Sequence, residues 1–229
     1  MNKEQFTLNW PINETFAEED FLPSDSNQYA VKWIDSWPAW QRGGDDFHCL
    51  IIYGPSGCGK THLSHVWQKM SAAELVDIEK LSEIDFILAE NFVFIIENVD
   101  DHILNSKIVE SLFHLYNWVK EQGGYLLLTA KRHPKNWNIG LEDLSSRMLA
   151  SEAVEIKPPD DKLLQAIIIK QFSDRQVTLP KEVLKYLIPR VERSFESLAK
   201  LVHDIDQLSL AEKKKITIPM VKRVLEKDE

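Results

Sequence analysis

Cysteine is scarce in this chain of 229 residues, which contains only Cys49 and Cys58. Two cysteines cannot build a disulfide framework, and so few are typical of a protein from a reducing compartment. Long apolar runs are also missing: FVFII, at residues 92–96, is far shorter than the roughly 20 residues that span a bilayer. The N-terminal region has no apolar run of signal-peptide length. These absences predict a cytoplasmic protein that does not cross a membrane.

Clusters of basic residues are nearly absent as well. The formal net charge is −9, and the only run of cations is KKK at residues 213–215. A domain that grips nucleic acid usually carries a basic face, so we expect no direct sequence-specific DNA binding. Apolar residues make up 44% of the chain, which is enough for one compact core and a smaller second domain.

Apolar strand-like runs alternate with helical patterns in the first two thirds of the chain. The runs are CLIIYG, FVFIIE and YLLLTA, and a further strand, AVEI, follows a short helix. Helices are predicted at about residues 28–36, after Lys60, and in SKIVESLFHLYNWVKEQGG, whose apolar residues recur at helical spacing before two glycines. Continuous apolar strands separated by helices are typical of a parallel sheet covered on both faces.

The pattern changes after KPPDD, at residues 157–161. No strand-like run follows, and four segments have helical patterns: DKLLQAIIIKQF, PKEVLKYLIPRV, RSFESLAKLVHDIDQLSL and IPMVKRVLEK. The sequence therefore predicts an α/β base with a parallel P-loop sheet and flanking helices at residues 13–157. A C-terminal, all-helical lid at residues 158–229 completes the predicted fold.

The segment GPSGCGKT is the strongest functional motif. It matches G-x-x-x-x-G-K-[ST], follows a predicted strand and opens a predicted helix, as a P-loop requires. Glycines let backbone N–H groups turn towards phosphate oxygens, and the helix N-terminus adds partial positive charge. Lys60 would reach the β- and γ-phosphates, while the Thr61 hydroxyl would bind Mg²⁺. The candidate nucleotide-binding residues are Gly54, Pro55, Ser56, Gly57, Cys58, Gly59, Lys60 and Thr61.

The end of the second buried strand supplies the candidate acid. Glu97 stands where a P-loop protein normally has an aspartate, and it could hold Mg²⁺ through water together with Thr61. Asn98 follows at the position of the usual catalytic acid, where an amide cannot accept a proton. Asp100 and Asp101 lie farther past the strand. The alternative is that Asn98 simply tunes or slows turnover. In either case, fast ATP hydrolysis by this chain alone is not expected.

Three further polar side chains are typical of AAA+ proteins. Thr129 ends the run YLLLTA, where it could sense a γ-phosphate or simply make a backbone hydrogen bond at the strand end. Arg147 lies in GLEDLSSRM, where AAA+ rings carry a catalytic arginine that acts in trans on a neighbour's nucleotide. Arg193 begins the predicted lid helix RSFESLAKLVHDID, the place for an arginine that contacts nucleotide in cis. A solvated surface arginine is the alternative for both arginines.

As a set, these motifs resemble the DnaA/Hda family of AAA+ proteins, most closely its members that inactivate the replication initiator. The resemblance covers nearly the whole chain. It includes residues 20–40, similar to the family's adenine-side segment with Asn27 and Ala30 at the matching places. It continues through IIYGPSGCGKTHL, LFHLYNWVKEQGGYLLLTAKR, GLEDLSSRM, PPDDKLLQAIIIKQF, VERSFESL and ITIPMVKRVL. The basic DNA-binding domain of DnaA has no counterpart among these residues.

The resemblance also gives an interpretation of the N-terminal segment QFTLNW. Family members carry a short N-terminal peptide that docks on the sliding clamp of the replicative polymerase, and here Gln5, Leu8 and Trp10 match its Q-x-x-L-x-aromatic pattern. Apolar anchors would enter a preformed pocket, and the glutamine would satisfy polar groups at its mouth. Residues 1–12 are thus expected to be a clamp-docking peptide. An edge strand with alternating apolar residues is the alternative.

The resemblance implies a regulatory mechanism. The protein would bind ADP or ATP with Mg²⁺, be tethered to clamps loaded on DNA, and present Arg147 to ATP held by the initiator DnaA. Hydrolysis there would inactivate the initiator, and a homo-oligomer remains open. One alternative is a nucleotide-switched adaptor or helicase-loading factor that does not act on DnaA. Another is a small-molecule P-loop kinase, which would need no arginine in trans.

Overall fold

Five parallel strands form a single sheet in the computed structural model, which describes residues 22–40, 49–83 and 92–226. The strands are β1 (Cys49–Tyr53), β2 (Glu74–Val76), β3 (Val93–Ile96), β4 (Tyr125–Ala130) and β5 (Glu152–Glu155). Their order across the sheet is β2-β3-β4-β1-β5, so β1 lies between β4 and β5. The carboxyl ends of β1, β3 and β4 therefore meet at one edge, where ligands of open α/β sheets bind.

Eight α-helices are present in the described ranges. Four belong to the sheet-containing part: α1 (Gln28–Asp35), α2 (Lys60–Ser71), α3 (Ser106–Glu121) and α4 (Glu142–Ala150). Four follow the last strand: α5 (Asp161–Asp174), α6 (Lys181–Leu187), α7 (Phe195–Glu212) and α8 (Ile218–Leu225). The predicted fold class, a parallel P-loop sheet with flanking helices and an all-helical lid, is confirmed. No helix in the described residues is long and apolar enough to cross a bilayer.

Side chains alternate between the two faces of the sheet, because successive residues of a strand point in opposite directions. Ile51, Phe94 and Leu128 belong to a buried cluster with apolar residues of α3. Leu50 and Ile95 belong to a second cluster with residues of α1 and α2. Both faces are thus covered, which explains why these strands are apolar along their whole length.

The lid has a hydrophobic core of its own. Residues from α5, α6, α7 and α8 form one buried cluster, with Leu163, Phe172 and Val202 among its members, and Leu22 packs against it from the other end of the chain. The lid also contacts the base through backbone hydrogen bonds. The Phe195 N–H donates to the Gly57 carbonyl at 2.7 Å, so the start of α7 touches the loop that follows β1.

Two local features differ from the prediction. The short strand β2 was not predicted, because only Val76 of its three residues is buried and no apolar run marks it. The helix predicted to begin at Arg193 begins instead at Phe195, since Ser194 is its N-cap and accepts a hydrogen bond from the Ser197 N–H at 3.1 Å.

Gly124, which precedes β4, offers a test of the close packing at the start of the sheet. A Cβ atom there would lie 2.1 Å from the Phe92 carbonyl oxygen and 2.7 Å from its Cβ, so Gly124→Ala must push the strands apart. We expect the free energy of unfolding to fall by about 1–3 kcal/mol, measured by urea unfolding with tryptophan fluorescence. At Gly140 no described atom lies within 4 Å of such a Cβ, so Gly140→Ala is the control and should change stability by less than about 0.5 kcal/mol. Equal stability of the two variants would contradict this packing.

Candidate nucleotide-binding site

The loop between β1 and α2 has no space for side chains at two of its glycines. A Cβ atom at Gly54 would lie 2.1 Å from the Ile156 carbonyl oxygen, and one at Gly57 would lie 2.5 Å from the Ser194 Cβ. Gly57 (φ 69°) and Gly59 (φ 102°) also adopt positive φ, which other residues rarely do. The loop conformation therefore depends on these glycines, as a backbone cradle for phosphate requires.

The start of α2 supplies positive charge to this loop. Gly59 caps the helix and has no side chain to accept its first N–H groups, which leaves the N-terminus open to an anion. Lys60 is 7% exposed, and its Nζ donates to the carbonyls of Gly54 and Pro55 at 2.8 Å each. Cys58 is buried in the loop, and burial raises the pKa of its thiol, which fits a small packing residue better than a reactive one.

Ser64 lies between Glu97 and the backbone of Thr61, and its single hydroxyl hydrogen can be donated to either at one time. Its hydroxyl lies 2.7 Å from Glu97 Oε1 and 2.9 Å from the Thr61 carbonyl oxygen, and the residue is 1% exposed. Sequence reasoning did not identify Ser64, although its place one turn after Thr61 was a signal. A hydroxyl and a single carboxylate suit Mg²⁺ that is also held by nucleotide phosphates. Within the described ranges, no group of three or more His, Cys, Asp or Glu side chains could hold a metal by itself.

Thr129 and Asn98 are joined by a hydrogen bond at the carboxyl edge of the sheet. The Asn98 N–H donates to Thr129 Oγ1 at 3.0 Å, and Thr129 is 1% exposed. Asn98 adopts the left-handed conformation (φ 54°, ψ 39°), which asparagine tolerates better than most residues. Thr129 thus makes the backbone bond that was the alternative to phosphate sensing. Its hydroxyl hydrogen can still be donated to another acceptor, so the sensing role stays a prediction.

Asp100 ties the end of β3 to the end of β4. Its buried carboxylate accepts three hydrogen bonds: from the Lys131 N–H at 2.8 Å, the Arg132 N–H at 3.2 Å and the Arg132 Nε at 3.1 Å. Asp101 pairs with the Lys131 ammonium at 2.6 Å. The two acids that follow Asn98 are therefore already engaged with the chain, and neither is placed as a spare proton acceptor.

Arg147 lies on α4 and is held against α3. Its guanidinium carbon lies 5.0 Å from the ring centre of Phe113 and 5.4 Å from that of Tyr116. The Arg147 carbonyl accepts hydrogen bonds from the N–H and the hydroxyl of Ser151, at 3.0 and 2.8 Å. No hydrogen bond in the described part of the chain joins Arg147 to the P-loop or to Glu97. The arginine and the phosphate site are thus separate features.

Arg193 lies beside the P-loop, but its side chain is engaged elsewhere. The guanidinium donates to the Pro159 carbonyl at 2.9 Å and pairs with Asp161 at the start of α5. The next residue, Ser194, is the one that limits space at Gly57. The predicted contact of Arg193 with nucleotide would require its guanidinium to leave these acceptors, and it stays a prediction.

The remaining predicted site residues fall in two segments. Asn27 is 2% exposed and is bonded within its own loop, because Oδ1 accepts from the Ser24 N–H at 2.8 Å and Nδ2 donates to the Leu22 carbonyl at 3.1 Å. Ala30 is fully buried on α1. The predicted clamp-docking residues Gln5, Leu8 and Trp10 lie outside the described residues.

Two family models match the chain in separate segments. The model described as the bacterial DnaA ATPase domain matches residues 12–94, and the model described as the Hda lid domain matches residues 160–225. The first contains the P-loop, and the second covers the helices α5 to α8.

A curated relative agrees with these matches. The chromosomal replication initiator protein DnaA of Buchnera aphidicola subsp. Cinara cedri (strain Cc) is 25% identical over 247 aligned residues. The match covers 97% of this chain, and the chain spans about half (55%) of that relative's length.

Solved structures of DnaA proteins share the fold of this chain. Domain III of the Thermotoga maritima replication initiation protein DnaA has a TM-score of 0.76 at 20% identity, over 95% of this chain and 98% of that one. AMPPCP-bound DnaA from Aquifex aeolicus has a TM-score of 0.74 at 19% identity, over 94% of this chain and 70% of that one. At these identities the likeness concerns the fold alone.

Asp100 and its neighbour Asp101 form a matched pair for a stability test. In Asp100→Asn the amide NH2 would replace one carboxylate oxygen and face the N–H donors of either Lys131 or Arg132, in a buried site. We expect a loss of about 2–4 kcal/mol in the free energy of unfolding, measured by urea denaturation. Asp101→Asn removes only an exposed ion pair and should cost less than about 1 kcal/mol. Comparable losses in both variants would show that Asp100 does not tie the two strand ends together.

Proposed function

The chain belongs to the DnaA/Hda-related family of AAA+ proteins, and we propose that it is a nucleotide-binding regulator that inactivates the replication initiator DnaA. Tethered to the DNA-loaded sliding clamp, it stimulates hydrolysis of the ATP that DnaA holds. The hydrolysed nucleotide belongs to the partner, so the protein acts mainly as an activator of another protein's ATPase.

The P-loop supports the nucleotide-binding part of this proposal. Its glycine cradle, the open N-terminus of α2, and Lys60 together suit the phosphates of ADP or ATP. The Thr61 hydroxyl and Glu97, whose carboxylate contacts the Ser64 hydroxyl, suit Mg²⁺ on those phosphates. The AMPPCP-bound DnaA of Aquifex aeolicus, which shares the fold, is a nucleotide-bound relative that agrees with this assignment.

The state of Arg147 is the observation that carries the proposal. Six arginines lie in the described ranges. Five of them donate side-chain hydrogen bonds to acceptors in the same chain: Arg132, Arg175, Arg190, Arg193 and Arg223. Among the described residues, no carbonyl or carboxylate accepts from the Arg147 guanidinium. A cation that is held by aromatic rings but keeps its N–H donors unused suits an anionic group of a partner, such as the phosphates of ATP.

The arrangement around Asn98 supports hydrolysis in trans rather than in cis. Asn98 cannot act as a base, Asp100 already accepts three hydrogen bonds from N–H donors, and Asp101 is paired with Lys131. A regulator whose own nucleotide serves as a ligand does not need a base at this position. This arrangement is equally compatible with the nucleotide-switched adaptor, which the experiment below separates from the regulator.

The partners in this proposal are DnaA and the sliding clamp. For the clamp, the support is the sequence pattern of Gln5, Leu8 and Trp10 and the family resemblance. For DnaA, it is the family and the properties of Arg147. A homo-oligomer is also compatible with this proposal, provided that Arg147 remains accessible to DnaA.

The test measures hydrolysis of radiolabelled ATP pre-bound to DnaA, with this protein added, in the presence and absence of clamp loaded on DNA. We expect stimulation that requires the clamp and is lost when Gln5 and Leu8 are both changed to Ala. Arg147→Ala should lose nearly all stimulation, because an arginine supplied in trans contributes on the order of 10³-fold or more. Binding of the variant to the clamp should not change.

The control is Arg190→Ala, which removes a second arginine that stacks on an aromatic ring: Arg190 is exposed and lies 4.0 Å from the ring centre of Tyr186. It should stimulate hydrolysis like the unchanged protein. No stimulation by a protein that binds nucleotide would favour the adaptor. Full stimulation by Arg147→Ala would exclude the trans role of that residue.

Ser64 gives a separate test of the metal site. Its hydroxyl holds Glu97, so Ser64→Ala should lower affinity for ADP by about 10-fold in the presence of Mg²⁺. Affinity measured in EDTA should be unchanged, because the phosphate cradle is intact. Ser71→Ala is the matched control: Ser71 is buried on the same helix, but its hydroxyl donates to the Trp67 carbonyl at 2.7 Å. Titration calorimetry with and without Mg²⁺ distinguishes the two, and an equal loss in EDTA would refute a role through Glu97.

A further inference from the structure

The ring of Tyr116 lies against the guanidinium of Arg147. We propose that Tyr116 is a positioning residue for Arg147, because its core-anchored ring supports the guanidinium. This inference rests on the proposed function, because it concerns how the arginine is presented to DnaA-bound ATP. Tyr116 itself touches no nucleotide in this proposal.

The first contact is between the ring and the cation. The guanidinium carbon of Arg147 lies 5.4 Å from the Tyr116 ring centre, within the range of cation–π attraction, and Phe113 provides a second ring at 5.0 Å. Tyr116 is 4% exposed and belongs to the main core cluster, while Phe113 packs at the edge of that cluster. A ring anchored in the core is a firm support. Because rings attract the face of the guanidinium, its N–H groups at the edge remain able to donate.

The backbone at the end of α4 is held by Ser151, which is 4% exposed and lies close to the Tyr116 hydroxyl. Ser151 in turn donates its hydroxyl and its N–H to the Arg147 carbonyl, at 2.8 and 3.0 Å. Burial raises the pKa of the Tyr116 hydroxyl, so this group stays protonated at neutral pH. The two Ser151 bonds therefore fix the end of α4 to the carbonyl of the arginine itself.

Such support matters because arginine has many rotamers. A long side chain that must enter a partner's site loses this freedom on binding, which weakens the interaction. Contacts that restrict the side chain beforehand reduce that loss and place the guanidinium where charge develops. Among the described residues, Arg147 lacks the hydrogen-bonded acceptors that restrict the other arginines. The aromatic rings are thus its principal restraint.

The experiment compares Tyr116→Phe with Tyr116→Leu in the clamp-dependent assay of DnaA-bound ATP hydrolysis. Tyr116→Leu removes the ring, so we expect the maximal rate to fall by about 3- to 30-fold, as loss of a cation–π contact predicts. Tyr116→Phe keeps the ring and loses only the hydroxyl, so most of the activity should be retained. The protein concentration for half-maximal stimulation should be similar in both, since DnaA and clamp binding are not altered.

Two controls separate positioning from general destabilisation. Val119→Ala removes core volume from the same helix, one turn away from Tyr116, and should leave the maximal rate unchanged at a temperature where all variants are folded. In an Arg147→Ala background, Tyr116→Leu should cause no further loss. A Tyr116→Leu protein with the unchanged maximal rate would overturn the inference, as would an equal loss in the absence of Arg147.

A direct measurement keeps the inference testable even if DnaA is not the partner. The ¹⁵N-labelled Nε–Hε signal of Arg147, identified by its loss in Arg147→Lys, should show an ordered side chain in the unchanged protein and in Tyr116→Phe. In Tyr116→Leu it should become as mobile as an exposed arginine. Failure of the unchanged protein to stimulate DnaA would refute the proposed function alone. An Arg147 signal that Tyr116→Leu does not alter would refute the positioning role alone.

Discussion

The hydrogen-bonded ladder between β1, β4 and β3 is the interaction on which the rest of this structure depends. It places Ile52 opposite Thr129 and Ile96 opposite Leu128. The P-loop leaves β1, Glu97 follows β3, and Thr129 lies near the end of β4, so all three reach one edge of the sheet. A slip of one residue in this pairing would turn every buried strand residue to the opposite face. The apolar residues on both faces therefore protect the geometry of the polar edge.

The sequence was sufficient for the features that depend on local patterns. Apolar runs predicted three of the five strands, and AVEI was predicted as a fourth. Helical spacing predicted the four lid helices, and the P-loop motif predicted the loop that the glycines shape. Ser64 and Asp100 were not identified, because their functions depend on partners 33 and 31–32 residues away in the chain. Nor does a helical pattern reveal that Tyr116 lies beneath an arginine from another helix. Single-residue contacts of this kind require the packed structure.

Four charged residues of the candidate site and its surroundings form two groups with different environments. Asp100, Asp101 and Arg193 are bound to partners within the chain, and of these only Arg193 was predicted to contact the nucleotide. Arg147 is instead supported by aromatic faces, which attract a cation without occupying its hydrogen-bond donors. The first group maintains the shape of the sheet edge and of the lid, and the second is suited to interact outside the chain. The sequence does not distinguish the two groups, because Arg193 in the first and Arg147 in the second are the same residue type.

The hydrogen bond between Phe195 and Gly57 has a thermodynamic consequence. Because the start of α7 donates directly to the P-loop, a ligand that changes the backbone at Gly57 also changes the free energy of lid orientation. Coupling of this kind is reciprocal: if nucleotide alters the affinity of a lid-binding partner by some factor, the partner alters nucleotide affinity by the same factor. A protein that hydrolyses its own nucleotide slowly would preserve this coupling for long periods. The bound nucleotide would then keep the affinity of the lid for its partner at one value until the nucleotide dissociates.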